Sequence, residues 1–262
     1  MKSSLLDNNF NVIAYRGGTT LYPENSPAAI RHSVNINPQC IIEIDLQLTK
    51  DNEIIAFHDF QLNHLTNGNG LVIDHNIADL RKIKLRNPDG TLNDTAHIST
   101  LHEIFDTFPQ QRFILDLHVM DPVLINSVAE IVTDHHREGS IAIQSVNDNI
   151  IEEFQALRPG WTFVAAANAT RKFAFASKLR LEKWVKTTAD IMFLPEKLGG
   201  ISILGNRALN VLHQCKVKVW SCVNFKPYTN VNSFADMQRL RQKGVDGVFT
   251  DDPGSLMAAG RK

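Results

Sequence analysis

The chain has 262 residues, 43% of them hydrophobic and 21% charged, which is enough apolar material for a sizeable core. A net charge of −1 offers no basic field to nucleic acid, and no stretch approaches the roughly 18 apolar residues that a membrane-spanning helix needs. Three cysteines, Cys40, Cys215 and Cys222, are odd in number and form no CxxC pair, which argues against a disulfide framework or a thiolate zinc site.

In chain order, Asn11 to Ala14 reads as a strand stopped at Tyr15-Arg16-Gly17-Gly18. Ser26 then caps a helix with Pro27 in its first turn, running to about Asn35. Cys40 to Leu48 is the second strand. A polar loop, Thr49 to Asn52, leads into a short strand, Glu53 to Phe57, which ends in His58-Asp59. Residues 60–111 are irregular: a Thr66-Asn67-Gly68-Asn69-Gly70 turn, a helical patch near Ile77 to Ile83, an Asn87-Pro88-Asp89-Gly90 loop, and a helix from Leu101 to Phe108 capped by Thr100. Strands are expected at Arg112 to His118, Ser140 to Val146, Thr162 to Ala167, Asp190 to Leu194, Lys216 to Val223 and Val245 to Phe249. Helices are expected at Asp121 to Arg137, Asn149 to Leu157, Lys172 to Val185, Asn206 to Gln214 and Ser233 to Lys243. Eight strands mostly separated by helices predict an α/β fold, a (β/α)8 TIM barrel with a small insertion after the second strand, and one domain over residues 1–262.

In such a barrel the chemistry lies at the C-terminal strand ends. The polar residues there are Tyr15, Arg16, Glu43, Asp45, Asp116, His118, Ser145, Asn147, Asn168, Asn224, Thr250 and Asp251. Glu43 and Asp45 are two apart and share one strand face. They are either solvated positions on a half-exposed strand or ligands held together by a cation. Glu43, Asp45 and Asp116 would offer oxygen to Mg²⁺ or Ca²⁺, and Arg16 suits a bidentate grip on phosphate. Asp59 either orients His58 or is a surface turn residue. Glu24 either faces the metal or complements a helix N-terminus. Trp220 is either an apolar pocket wall or barrel core.

These motifs together resemble the glycerophosphodiester phosphodiesterase family, over about Val12 to Leu256. Its H-R-G reads Tyr15-Arg16-Gly17 here, its P-E-N-T reads Pro23-Glu24-Asn25-Ser26, and its E-x-D run spans Glu43 to Asp51. His58-Asp59, the Thr66 to Gly70 turn and the Gly244 to Pro253 closing strand are similar too. The resemblance implies a metal-dependent phosphoric diester hydrolase that releases an alcohol and glycerol 3-phosphate from a small-molecule substrate. It implies a divalent metal, Mg²⁺ or Ca²⁺, on Glu43, Asp45 and Asp116. It places Arg16 on the phosphate and makes His58 one of two acid/base histidines; beside it, His118 is a candidate phosphate contact and Trp220 a candidate apolar wall for the glycerol moiety.

Three positions depart from the family. Tyr15 stands where the other histidine belongs, Asp116-Leu117-His118 replaces E-x-K, and Trp220-Ser221-Cys222-Val223-Asn224 keeps W-T-V-N only loosely. Tyrosine titrates near ~10 and histidine near ~6.5, so Tyr15 can donate a proton at neutral pH but is a poor base. Three readings stand: Tyr15 donates the proton, His118 takes over the missing role, or the barrel binds a phosphodiester without turnover. A phospholipase-like toxin on the same barrel fits less well, since it would keep both histidines. The N-terminal MKSSLLDNNF lacks the apolar core of a secretion signal, so a cytoplasmic location is expected.

Overall fold

Eight short parallel strands carry the architecture of the computed structural model, which describes residues 4–7, 10–185, 187–198, 201–225 and 228–257. They are β1 (Asn11–Ala14), β2 (Ile41–Leu48), β3 (Arg112–Leu117), β4 (Ile141–Gln144), β5 (Thr162–Phe163), β6 (Ile191–Phe193), β7 (Lys218–Ser221) and β8 (Gly247–Thr250). Each pairs in parallel with its sequence neighbour, and β8 returns to β1 with Asn11 opposite Gly247. The ring closes between β5 and β6 through a parallel bridge of Val164 and Ile191. This is the expected TIM barrel.

Seven of the eight strands, and the residue just past β5, contribute one side chain each to a layer inside it. Ile13, Ile41, Ile114, Ala142, Ile191, Trp220 and Phe249, with Val164 just past β5, form one buried cluster with Leu5 from the N-terminal turn. The pleat repeats every two residues. Two residues further along β1, β2, β3 and β4 stand Tyr15, Glu43, Asp116 and Gln144. The apolar layer is therefore the floor, and the polar layer above it is the mouth.

Trp220 belongs to the floor. It has no exposed surface, lies tilted against Phe249 with centroids 6.4 Å apart, and fills the space left by Gly247. Of its two readings, the position is that of barrel core rather than pocket wall.

Outside the strands, helices bury apolar stripes on the sheet. Pro27–Ile36 starts on the Ser26 cap, Leu101–Thr107 on a capping box of Thr100 and Glu103, and Phe234–Gln242 on Ser233. Leu101, Ile104 and Phe105 pack into the main core, so this helix belongs to the barrel layer rather than to the insertion. The irregular stretch before it has its own apolar cluster, which includes Phe57, Leu62, Val72, Leu80 and Ile98. The helix expected at Lys172 to Val185 starts earlier, at Ala167, and ends at Lys178. The strand before it is correspondingly shorter, Thr162–Phe163. Beyond expectation, Lys197–Leu198, Ile201–Ser202, Asn224–Phe225 and Tyr228–Thr229 form a second small sheet over the β6 and β7 ends.

Candidate active site

Strand β2 builds the centre of the mouth. Glu43 and Asp45 are buried, and Asp45 sits directly beside Asp116 of β3 in the parallel register. The three carboxylates each bring an oxygen into a group whose members lie within 4.8 Å of one another. The reading of Glu43 and Asp45 as solvated strand positions is thereby overturned.

The chain after β1 turns back over this group. Arg16, Gly17 and Gly18 all have positive φ, at 51°, 81° and 103°. A β-carbon on Gly18 would stand 2.7 Å from Ser33 Oγ, so the turn is closed to larger residues there. This curl aims the Arg16 amide at Glu43 Oε2, 2.7 Å away. It also sets the guanidinium between Glu24, at 2.8 Å from Nη1, and Asp45, at 3.3 Å from Nε. Burial works against the Arg16 charge, but Glu24 and Asp45 outweigh it and raise its pKa.

Asn25, also left-handed with φ 57°, clamps Asp45. Its Nδ2 donates to Asp45 Oδ2 at 2.8 Å, while its Oδ1 accepts from the Asp45 amide at 3.0 Å. A second side-chain amide acts on β4, where Gln144 Nε2 donates to Asp116 Oδ2 at 2.7 Å.

Two buried carboxylate oxygens of this cluster remain without a hydrogen-bond partner, Glu43 Oε1 and Asp116 Oδ1. Orphaned anionic oxygens are costly in a low dielectric unless a cation or proton meets them. Burial first, and then the charges of Asp45 and Asp116, push Glu43 well above the usual carboxylate range. Burial also raises Asp116, against the pull of His118. The arrangement fits a hard divalent cation, which takes oxygen ligands of this kind.

The histidines arrive from two directions. Ile54–Ala56 folds back antiparallel on β2 and delivers His58 to the mouth. Gln47, the next residue on the face of Glu43 and Asp45, fixes the delivery: its Nε2 lies 3.1, 2.8 and 2.7 Å from the carbonyls of Phe57, His58 and Asp59. His58 Nδ1 donates to Asp59 Oδ1 at 2.7 Å, and Asp59 Oδ2 also meets His64 at 3.2 Å. His118, just past β3, lies with Nε2 3.0 Å from Asp45 Oδ1 and its ring edge-on to His58, centroids 5.4 Å apart. The Asp45 hydrogen bond raises the His118 pKa despite burial. Asp45 itself is opposed by burial, but the His118 bond and the Arg16 charge outweigh it and hold its carboxyl low.

Tyr15 lies partly buried on the far side of Glu43. Burial first, then the Glu43 charge, pushes its phenol well above the ordinary range, so it stays protonated at neutral pH. Tyr228 from the small sheet packs against it with the rings tilted by 42° and centroids 5.5 Å apart. Glu24 reaches the cluster through Arg16 and does not only serve a helix end. Asp251 is engaged elsewhere, by Asn230 at 2.8 Å and Asn232 at 2.7 Å, and Ser145 bonds the Leu117 carbonyl at 2.6 Å.

Residues 16–255 match the glycerophosphoryl diester phosphodiesterase family. The chain belongs to that family. A glycerophosphodiester phosphodiesterase of Caldanaerobacter subterraneus subsp. tengcongensis is 25% identical over 256 residues, covering 96% of this chain and 98% of its own. One from Bacillus subtilis is 28% identical over 267 residues, covering 92% and 83%. Among solved structures, a glycerophosphoryl diester phosphodiesterase domain from Mycobacterium tuberculosis gives a TM-score of 0.79 at 19% identity, covering 97% of this chain and all of that one. A phosphodiesterase of Oleispira antarctica, solved with the product sn-glycerol-3-phosphate, gives 0.76 at 21%, covering 96% and 97%. These structural likenesses speak to the fold. Within this glycerophosphoryl diester phosphodiesterase family member, reading the sequence missed Asn25, Gln47 and Gln144 as supports of the site. The signal for Gln47 and Gln144 was present in the period-two spacing from Asp45 and Ala142.

Proposed function

We propose that this chain hydrolyses glycerophosphodiesters to an alcohol and glycerol 3-phosphate with the help of a divalent metal, Mg²⁺ or Ca²⁺, using altered proton-transfer groups. The observation that carries this reading is the pair of orphaned oxygens, Glu43 Oε1 and Asp116 Oδ1, beside Asp45 and the His58–Asp59 pair. Glu43, Asp45 and Asp116 would hold the metal. When bound, it supplies Lewis-acid stabilisation of charge on a phosphoryl oxygen.

The chain's own groups divide the rest. Arg16 hydrogen-bonds Glu24 through Nη1 and holds its buried Nε in an ion pair with Asp45 without a hydrogen bond, so Nη2 is assigned to a phosphate oxygen. Asp59 accepts from Nδ1 of His58, which leaves Nε2 as the proton-transfer atom. His118, whose pKa the Asp45 hydrogen bond raises, stands in for the family's lysine at the phosphate. Tyr15, with its raised pKa, donates a hydrogen bond or a proton and takes none.

The raised Tyr15 pKa also favours a second reading, a family member that binds the phosphodiester without turning it over. Hydrolysis of glycerophosphocholine and of an aryl phosphodiester, with Mg²⁺ and with Ca²⁺, separates the two. On the first reading the parent turns over and His58→Ala loses about 10²–10⁴ in rate. A silent parent that gains turnover as Tyr15→His supports the second. Silence in the parent, His58→Ala and Tyr15→His together overturns hydrolysis of these substrates.

A further inference from the structure

A second set of donors, of different chemistry, adjoins the three carboxylates. Asp45, His58 and His118 each present one ligand atom, and these atoms lie within 4.8 Å of one another. We propose that they form a second divalent-cation site, selective for an imidazole-seeking transition metal such as Zn²⁺, and sharing Asp45 with the carboxylate set.

The tautomers and orientations suit ligation. A carboxylate only accepts, so the 2.7 Å contact to Asp59 puts the proton of neutral His58 on Nδ1 and the lone pair on Nε2. A carboxylate behind a histidine is the usual outer partner of a metal-bound imidazole, fixing its tautomer and raising its basicity. Asp59 is itself steadied by His64, and the Gln47 clamp on three successive carbonyls holds the loop. His118 already directs Nε2 at Asp45 Oδ1, 3.0 Å away. A metal entering there takes the place of the Nε2 proton, which passes to solvent.

Charge and donor type both separate this site from its neighbour. Glu24, Glu43, Asp45, Asp59 and Asp116 are linked here, directly or through the shared carboxylates and histidines, to one fixed cation among the described residues, Arg16. With all five carboxylates ionised and both histidines neutral, one divalent ion leaves this group negative and two balance it. The all-oxygen set suits Mg²⁺ or Ca²⁺, whereas two imidazoles and a carboxylate suit Zn²⁺ and its neighbours. A lysine at position 118 would stay protonated at neutral pH and could not ligate. Occupancy also engages His58 Nε2, so Zn²⁺ is expected to inhibit hydrolysis; that consequence alone rests on the function proposed above.

The test is metal content. The full chain is stripped with chelator, saturated with Mg²⁺ and titrated with Zn²⁺, and bound zinc is measured by elemental analysis. A parallel Co²⁺ titration gives visible absorption from a nitrogen-ligated ion. We expect one Zn²⁺ per chain in the presence of excess Mg²⁺. Asp59→Asn should weaken it by about 10–100-fold, as loss of an outer partner does, and His58→Ala or His118→Lys should weaken it further. Glu43→Gln should retain it. Circular dichroism establishes that each variant is folded. The proposal is overturned if no Zn²⁺ binds beside Mg²⁺, or if His118→Lys and His58→Ala keep their zinc while Glu43→Gln loses it. Because zinc content is independent of turnover, absence of hydrolysis and absence of this site are separate results.

Discussion

His118 Nε2 lies 3.0 Å from Asp45 Oδ1, across the β2–β3 pair that also sets Asp45 beside Asp116. The bond raises the His118 pKa in the folded chain. A group that binds its proton more tightly when folded contributes fully below its unfolded pKa, about 6.5 for histidine, and loses that contribution as pH rises through the folded value. The metal-free chain should therefore lose stability as pH climbs above neutral. Denaturation midpoints across this range check it, with His118→Gln as comparison. Equal pH slopes in parent and variant would contradict the assignment.

Gly247 faces Trp220 on the barrel floor. A β-carbon there would stand 2.7 Å from Trp220 Cδ1 and 3.0 Å from the Asn11 carbonyl oxygen. Trp220 is fully buried. Gly247→Ala should cost about 1–3 kcal/mol, the range for overpacking a filled core. Urea unfolding measures this, and a midpoint equal to that of the parent would mean that the floor repacks freely.

Thr100 and Glu103 cap each other's backbone amides at the start of Leu101–Thr107, at 3.2 Å and 2.9 Å. The helix has seven residues, so its first turn is a large share of it. Thr100→Ala should cost about 1 kcal/mol and Thr100→Ser much less. The readout is again the urea midpoint; equal losses in both variants would assign the effect to the threonine methyl group.

Capping and the pleat explain how much was legible beforehand. Ser26 and Thr100 announced their helices because a side-chain oxygen at an N-cap is a local signal. Glu43 and Asp45 announced a shared face because strand periodicity is equally local. What was not legible depends on contacts across the barrel. Asn25 clamps Asp45 only because the turn at Arg16 is left-handed. Trp220 sits below the mouth because of where β7 meets β8 in register, with Trp220 opposite Gly247. The small sheet beyond β6 and β7 is built of two-residue strands, too short for any alternation to reveal.

The strongest electrostatic prediction concerns metal removal. Glu43 and Asp116 both bind protons more tightly in the folded chain, because burial and mutual repulsion penalise their charged forms. For such acids the unfolded chain ionises first, so metal-free stability falls as pH rises above the usual carboxylate range of about 4. A cation bound only to the folded state reverses this, adding about 2.7 kcal/mol when its concentration is 100 times its dissociation constant. Mg²⁺ should thus raise the melting temperature of the parent at neutral pH, and excess chelator should lower it. Asp116→Asn removes one of the repelling charges and one ligand together. Its metal-free form should melt no lower than the metal-free parent, and its response to Mg²⁺ should largely disappear. Thermal melts of both chains with chelator and with Mg²⁺ decide the matter. If Asp116→Asn without metal is much less stable than the parent without metal, the carboxylate acts through its hydrogen bond to Gln144 rather than through charge.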